Sequence, residues 1–217
     1  MLIYHHAHSE FLLETAQGYR ILTDPFDAHV GYPMRQVRCD AITVSHGHGD
    51  HSYIQKAPGA QVIADHAGPI TLASEITATG IPCWHDDAQG AKRGANLIFL
   101  LEADGLRVAH FGDLGEWDEA LAAQLQNIDI ALVPVGGFYT MDAGRAAALM
   151  ARIRPRVIIP MHYKTSANAD WPIAALDDCL SAFHAENAPR MPLLRVTKQD
   201  LSEHPPVIVL QETLLQA

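Results

Sequence analysis

His46, His48, Asp50 and His51 fall within the segment Ser45-His46-Gly47-His48-Gly49-Asp50-His51-Ser52. Three imidazoles and a carboxylate this close together read as metal donors, because divalent first-row ions take imidazole nitrogen and carboxylate oxygen. Gly47 and Gly49 leave the backbone free to turn tightly around an ion. In an extended segment His46, His48 and Asp50 would point to one side and His51 to the other. One tetrahedral ion is then a poor match for all four groups. Two adjacent ions, one taking two imidazoles and the other Asp50 with His51, match better.

Two ions need further donors, and three later residues offer them. His85 follows Ile81-Pro82-Cys83-Trp84, Asp113 ends His110-Phe111-Gly112-Asp113, and His162 follows Ile158-Ile159-Pro160-Met161. Each stands just after an apolar run, where side chains from different strands can converge at one sheet edge.

The elements that must position these groups are legible in outline. Leu2–His5, Glu10–Thr15 and Tyr19–Thr23 read as short strands, with Gln17-Gly18 as a hairpin turn. Ala41–Val44 reads as the strand that delivers the His-rich segment. Further strands are expected at Gln61–Ala64 and Ile76–Thr79, and a hairpin of Asn96–Ala103 with Leu106–Phe111 around Asp104-Gly105. The second half alternates. A helix over Glu116–Gln126 is followed by a strand over Asp129–Val135. Asp142 caps a helix with Ala146, Leu149, Met150 and Ile153 on one face, and a strand over Arg156–Pro160 comes next. A helix opening near Pro172 carries Ile173, Leu176, Leu180 and Phe183, and Val207–Leu210 reads as a closing strand. Strands first and alternation later, with no linker or repeat, predict sheets packed together and covered by helices within one domain over residues 1–217.

Composition removes other classes. The chain is 48% hydrophobic and 18% charged, which is globular composition. Fifteen Lys and Arg against 25 Asp and Glu give a net charge of −10, which argues against a general nucleic-acid surface or an anionic-membrane surface. Cys39, Cys83 and Cys179 are too few and too scattered for a disulfide framework or a zinc knuckle. The segment from Met1 to Leu13 has no basic start, and His5, His6, His8 and Glu10 interrupt it, so no secretory signal is expected. No apolar run approaches a membrane span of about 18 residues, and the expected location is cytoplasmic. The 13 histidines outnumber the six Phe and the six Tyr together, and metal binding is the use that accounts for such an excess.

Taken with Thr23-Asp24-Pro25, Pro134-Val135-Gly136-Gly137-Phe138-Tyr139-Thr140-Met141-Asp142 and Ile159-Pro160-Met161-His162-Tyr163-Lys164-Thr165, these residues occur in the order seen in the metallo-β-lactamase superfamily. The sequence resembles most its small single-domain metal-dependent hydrolases, allied to ascorbate-6-phosphate lactonase. The resemblance implies an α/β fold, the four-layer αββα sandwich, with the site at one edge of the two sheets. By position, it implies that His46, His48 and His85 hold one ion, that Asp50, His51 and His162 hold the other, and that Asp113 bridges them. His48 stands where the di-iron oxygen reductases of the superfamily commonly carry Glu, which argues against that redox branch.

Such a site carries out hydrolysis. Two divalent ions, two carboxylates and one hydroxide leave a centre of about +1, an electropositive cleft within an acidic protein. Water on the ions can have a pKa near ~7. That hydroxide is expected to attack a small, anionic ester, lactone or phosphodiester, with Asp50 orienting it as a catalytic group. Zn2+ suits five imidazoles, and Mn2+, Fe2+ or Ni2+ also fit an N/O donor set. A nuclease or cyclic-nucleotide phosphodiesterase is the alternative enzyme, and a non-catalytic metal-binding protein the alternative of another class. The expected partner is a small-molecule substrate, and the sequence leaves the oligomeric state open. Three groups are read as supports. Asp24 would orient a ligand imidazole, His8 would lie near the site, and His110 would serve in the core or behind the ligands. Tyr139, Thr140 and Lys164 are candidates for substrate contact. Trp84 and Trp171 are read as packing or cleft-wall residues, and no role is assigned to His5, His6, His29, His66, His184 or His204.

Overall fold

The structure, a computed structural model, describes residues 1–215. Apolar residues alternate along the early strands and run continuously in the later ones, and two six-stranded sheets result. The first is built from β1 (Leu2–Ala7), β2 (Glu10–Glu14), β3 (Arg20–Thr23), β4 (Ala41–Thr43) and β5 (Val62–Ala64). The second is built from β6 (Gly68–Ala73), β7 (Ile76–Trp84), β8 (Ala95–Ala103), β9 (Leu106–His110), β10 (Ile130–Pro134) and β11 (Val157–Met161). After β12 (Arg190–Met191), β13 (Leu194–Arg195) pairs with β1 at the edge of the first sheet, and β14 (Val209–Leu210) pairs with β12.

Each sheet changes from antiparallel to parallel along its width. β1, β2 and β3 are antiparallel, and β3, β4 and β5 run parallel. In the second sheet β6 through β9 are antiparallel, and β9, β10 and β11 run parallel. Helix α1 (Glu119–Gln124) lies in the β9–β10 connection and α2 (Ala143–Ile153) in the β10–β11 connection. Both are capped as their sequences dictate. Asp118 accepts the Leu121 N–H and Asp142 accepts the Arg145 N–H, each at 2.8 Å.

The sheets meet across a largely apolar layer, into which the buried His5 and His110 rings also pack. Ile3, Phe11, Leu13 and Ile21 of the first pack with Phe99, Leu101, Val108 and Leu132 of the second. The outer face of the second sheet, with Ile98, Leu100, Ala109 and Val133, is covered by α1, α2 and α3 (Leu176–Leu180). The outer face of the first is covered differently. Leu12, Leu22, Ile42 and Val44 lie under Cys39, Ala57 and a single 3-10 turn at Ile54–Lys56, so all three helices contribute to the other side.

Several elements depart from the sequence expectation. β6 is unanticipated because it opens on Gly68-Pro69; as the sheet's edge strand it tolerates the missing N–H. β7 runs on through Pro82 to Trp84, past the end of its pairing with β6, so Pro82 has a ladder partner only in β8. The helix expected from Pro172 begins at Leu176 instead, because Ala175 is held in a bridge to Lys164. The closing strand is only Val209–Leu210, while Val207 bridges to Ile158. No helix among the described residues is long and apolar enough to cross a membrane.

Candidate metal centre

The chain leaves β1, β3, β4, β7, β9 and β11 at one edge of the sandwich, and the residues just past those C-terminal ends converge there. His8 follows β1, Asp24 follows β3, the His-rich segment follows β4, His85 follows β7, Asp113 lies past β9 and His162 follows β11. His8, Asp24 and His162 are in the left-handed region at φ of 57°, 40° and 54°. His and Asp tolerate that region better than most residues, and it turns their side chains back over the sheet edge.

The His-rich segment is a turn, not an extended strand. The bend corrects the expectation that His51 points away from His46, since their ring centroids are 4.4 Å apart. Neither Gly47 nor Gly49 is in the left-handed region. Gly49 is required for another reason, because a Cβ there would collide with the Asp27 carboxylate.

Three groups of donors form among the described residues, each with its atoms within 4.8 Å of one another. His46, His48 and His85 make the first; His8, Asp50, His51 and His162 make the second. The third, Asp24 with His46 and His51, shares its imidazoles with the other two, and its carboxylate is already taken by His51 Nδ1 and Ser45. Asp113 lies between the first two. Its Oδ1 is 3.2 Å from His51 Nε2, and its Oδ2 is 3.2 Å from His85 Nε2 and 3.3 Å from His162 Nε2. Asp50 Oδ2 is 3.6 Å from His51 Nε2. The Asp113 backbone is fixed by Asn96, which accepts its N–H at 3.0 Å and donates to the Phe111 carbonyl at 3.0 Å. Nothing in the spacing of the sequence pointed to Asn96.

The chemistry of these atoms fits divalent cations. His46 Nε2, His51 Nε2, His162 Nε2 and Asp113 Oδ1 are buried without a hydrogen-bond partner. An unsatisfied buried polar group costs about 1–3 kcal/mol, and here several such groups aim at common points. Protonation follows the same logic. Burial would raise the Asp113 carboxyl, but the His162 and His51 rings beside it hold it well below the usual range. Asp50 is held low as well, against its burial, chiefly by His51. Burial and the neighbouring His51 push the His46 ring down to about 3, leaving it neutral and ready to ligate. His51 is raised despite burial, because Asp113 and Asp50 draw positive charge to it. The carboxylates ask for cations at this spot.

The supports are specific. Asp24 is fully buried and accepts from His51 Nδ1 at 2.8 Å, from the Ser45 N–H at 2.8 Å and from the Ser45 hydroxyl at 2.5 Å. It therefore fixes the His51 tautomer with Nε2 left for an ion. Ser45 Oγ lies 2.9 Å from His46 Nδ1 and extends the support to that ring. His110 donates from Nε2 to the Ser9 carbonyl at 2.8 Å and accepts the Gly112 N–H at 3.2 Å, so both of its nitrogens are occupied away from the centre. Gly112, at φ 53°, cannot carry a Cβ without striking Ser45 and Asn96.

A cavity of about 450 Å³ opens onto the centre and is lined by His48, His85, Asp50 and Asp113 from the donor groups. Its outer wall is Tyr139, Trp171, His29 and Arg93. Thr140 and Lys164 do not line it: the Thr140 hydroxyl donates to the Met141 carbonyl at 3.0 Å, and Lys164 belongs to the bridge with Ala175. Gly136 and Gly137 serve the turn, since a Cβ on Gly136 would strike the His162 carbonyl and Gly137 has φ 68°. Arg93, missed in the sequence, is delivered by a preorganised loop. The buried Asp86 carboxylate accepts four backbone N–H groups, those of Ala88, Gly90, Lys92 and Arg93, at 2.7–2.9 Å.

The sequence profile of the Beta-lactamase superfamily domain matches residues 2–162, about three quarters of the chain. The chain belongs to the metallo-β-lactamase superfamily. Within the superfamily it is 34% identical over 201 residues to a UPF0173 metal-dependent hydrolase of Carboxydothermus hydrogenoformans, covering 78% of this chain and 85% of that one. A UPF0173 metal-dependent hydrolase of Thermococcus kodakarensis is 32% identical over 199 residues, with the same coverage of 78% and 85%. A crystal structure of a superfamily member from Thermotoga maritima superposes with TM-score 0.78 at 31% identity, covering 96% of this chain and 97% of that one. The chain is a metal-dependent hydrolase of this superfamily, with a His/Asp cluster that can hold metal.

The support from Asp24 gives a first expected result. Asp24→Ala frees the His51 ring and leaves Ser45 without its acceptor. Metal affinity measured by chelator competition is expected to fall about 10–100-fold, with the fold retained by circular dichroism; unchanged affinity would show that Asp24 serves the turn alone.

Proposed function

We propose that this superfamily member is a binuclear hydrolase of small anionic esters, lactones or phosphodiesters, acting as one domain over residues 1–217. The observation that carries the reading is the pair of donor groups joined by Asp113. In this assignment His46, His48 and His85 hold the first ion, Asp50, His51 and His162 the second, and Asp113 both. Two ions held there would supply Lewis acidity and hydroxide at neutral pH. Zn2+ suits the all-imidazole first group, and Mn2+, Fe2+ or Ni2+ fit the mixed donors. The kinship with ascorbate-6-phosphate lactonase and a cytoplasmic location belong to this proposal too.

The chain's own residues then divide the remaining work. Asp50 is ionised and reaches the cavity, so it can hold and orient a water molecule at its free oxygen. Tyr139 and Trp171 exclude bulk solvent from the mouth. Arg93 is the one Arg or Lys lining the cavity, and no carboxylate pairs with it among the described residues. Its guanidinium rests 5.9 Å and 5.7 Å from the Phe138 and Tyr139 ring centroids. Asp170 also lines this wall without an ion pair to Arg93, and the guanidinium so placed favours substrates with a negative group. It also falls short of a nucleic-acid groove, which needs a row of such cations.

The test is a screen of the metal-loaded protein against lactones, phosphodiesters, thioesters and β-lactams. Turnover is expected with anionic members of the panel. For them Arg93→Gln is expected to raise KM about 10–100-fold, the loss of one charge-assisted bond of about 1.5–3 kcal/mol, with kcat changed little. Equal effects on neutral and anionic substrates would remove the anion-binding role.

A further inference from the structure

We propose that His8 is itself a metal ligand, so that the second ion takes five side chains, His8, Asp50, His51, Asp113 and His162, against four at the first. The inference rests on the two-ion reading above and deepens it.

His8 is built into place more firmly than a packing residue requires. It is 1% exposed, and its backbone takes the left-handed conformation directly after β1. Its N–H donates to Glu212 Oε1 at 3.3 Å, and its carbonyl accepts the His162 N–H at 3.2 Å and the His5 ring nitrogen Nε2 at 2.9 Å. Its own strand and two distant segments therefore fix one residue, and one of those segments carries His162 of the donor group. Glu212 is held in turn by the Tyr32 hydroxyl at 2.8 Å.

The ring so placed has no protein partner. Both His8 nitrogens are buried and without a hydrogen bond, and His162 shares that condition. The His8 ring centroid is 4.2 Å from that of His162 and 5.3 Å from that of His51. His8 Nε2 is 3.4 Å from Asp50 Oδ2, without hydrogen-bond geometry. Two neighbouring donors each about 2.0–2.2 Å from one ion are themselves about 3–3.8 Å apart over the angles of four- to six-coordination. The separation of His51 Nε2 from Asp50 Oδ2, 3.6 Å, is of the same kind. An ion shared with Asp50, His51 and His162 satisfies His8 Nε2, which a hydrogen bond to Asp50 at this geometry does not.

A consequence follows for how the two positions are used. The cavity is lined by His48 and His85 of the first group, whereas of the second group only Asp50 reaches it and His8, His51 and His162 do not. Trp171 meets the His8 ring edge-on at a centroid distance of 5.5 Å and closes that side. Five side chains around the second position would leave little room there for a further ligand, so a substrate oxygen would find its access at the first position, where His48, His85 and Arg93 line the cavity. Five donors also exceed the four of a tetrahedral zinc site, which directs the second position toward ions of higher coordination.

The direct test uses the wild-type protein with isotope-labelled histidine, loaded with NMR-active cadmium. Metal–nitrogen coupling is expected on six imidazoles, those of His46, His48, His51, His85, His162 and His8. Coupling on the other five with none on His8 would overturn the proposal while leaving the two-ion reading intact. Failure to hold two ions would overturn both. His8→Asn provides a second readout: one of the two chelator-competition steps is expected to shift by at least about 10-fold, with the other unmoved. Wild-type affinity at both steps would contradict the assignment.

Discussion

Asp113→Ala is expected to abolish hydrolysis, by at least about 100-fold, and to release metal in the same variant. The lower bound comes from outer supports of metal sites, whose removal alone costs 10–100-fold; Asp113 touches both donor groups directly. It is fully ionised among three imidazoles at 3.2–3.3 Å, and without it His51, His85 and His162 lose their only common counter-charge. Asp113→Asn keeps the volume and the hydrogen bond from its own N–H to Asn96. Failure of both variants therefore isolates the carboxylate charge from packing. An Asp113→Asn protein that keeps two ions and full turnover would remove the bridge from the account.

Stripping the protein of metal is expected to lower its melting temperature by about 8–16 °C for each ion lost. An ion at 1,000 times its dissociation constant stabilises the folded state by about 4 kcal/mol, and each kcal/mol moves the midpoint about 2–4 °C for a domain of this size. The structural source is the set of buried orphan atoms at the sheet edge, with His46, His51 and His162 each presenting Nε2 to no protein partner. Scanning calorimetry before and after chelation, with metal returned afterwards, measures the shift. Equal midpoints would mean that metal binds the unfolded chain as well as the folded one, or the folded one not at all.

Much of the fold was legible because local chemistry and tertiary position agree. Asp142 caps a helix where the apolar spacing begins, and the strands over Ala41–Thr43 and Ile130–Pro134 are too apolar to lie anywhere but inside; the helix expected from Glu116 starts only at Glu119, after its cap Asp118. Misses occur where tertiary context decides. Gly68-Pro69 looks like a turn until the edge position is known, and Pro172 looks like a helix start until Lys164 and Ala175 pair. The proposed donors could be named because six of the seven follow runs that had to be buried strands or sit in one dense segment, and Asp113 ends another such run. The extended-strand argument misplaced His51, since a turn is set by contacts such as Gly49 against Asp27 that spacing does not encode. His8 could be read only as a support near the site, and Asn96 and Arg93 not at all. Single Asn and Arg residues carry no pattern, and only the assembled sheet edge reveals them. Of the 13 histidines, His5 and His29 also gain places, one holding the His8 carbonyl and the other lining the cavity.

On the proposed assignment one chain closes around two ions. Elemental analysis of the protein purified without added metal, referred to protein concentration by amino-acid analysis, measures it directly. The account predicts close to two equivalents per chain, falling toward zero in Asp113→Ala; one equivalent or none in a correctly folded wild-type protein that fails to take up more on reconstitution would contradict it.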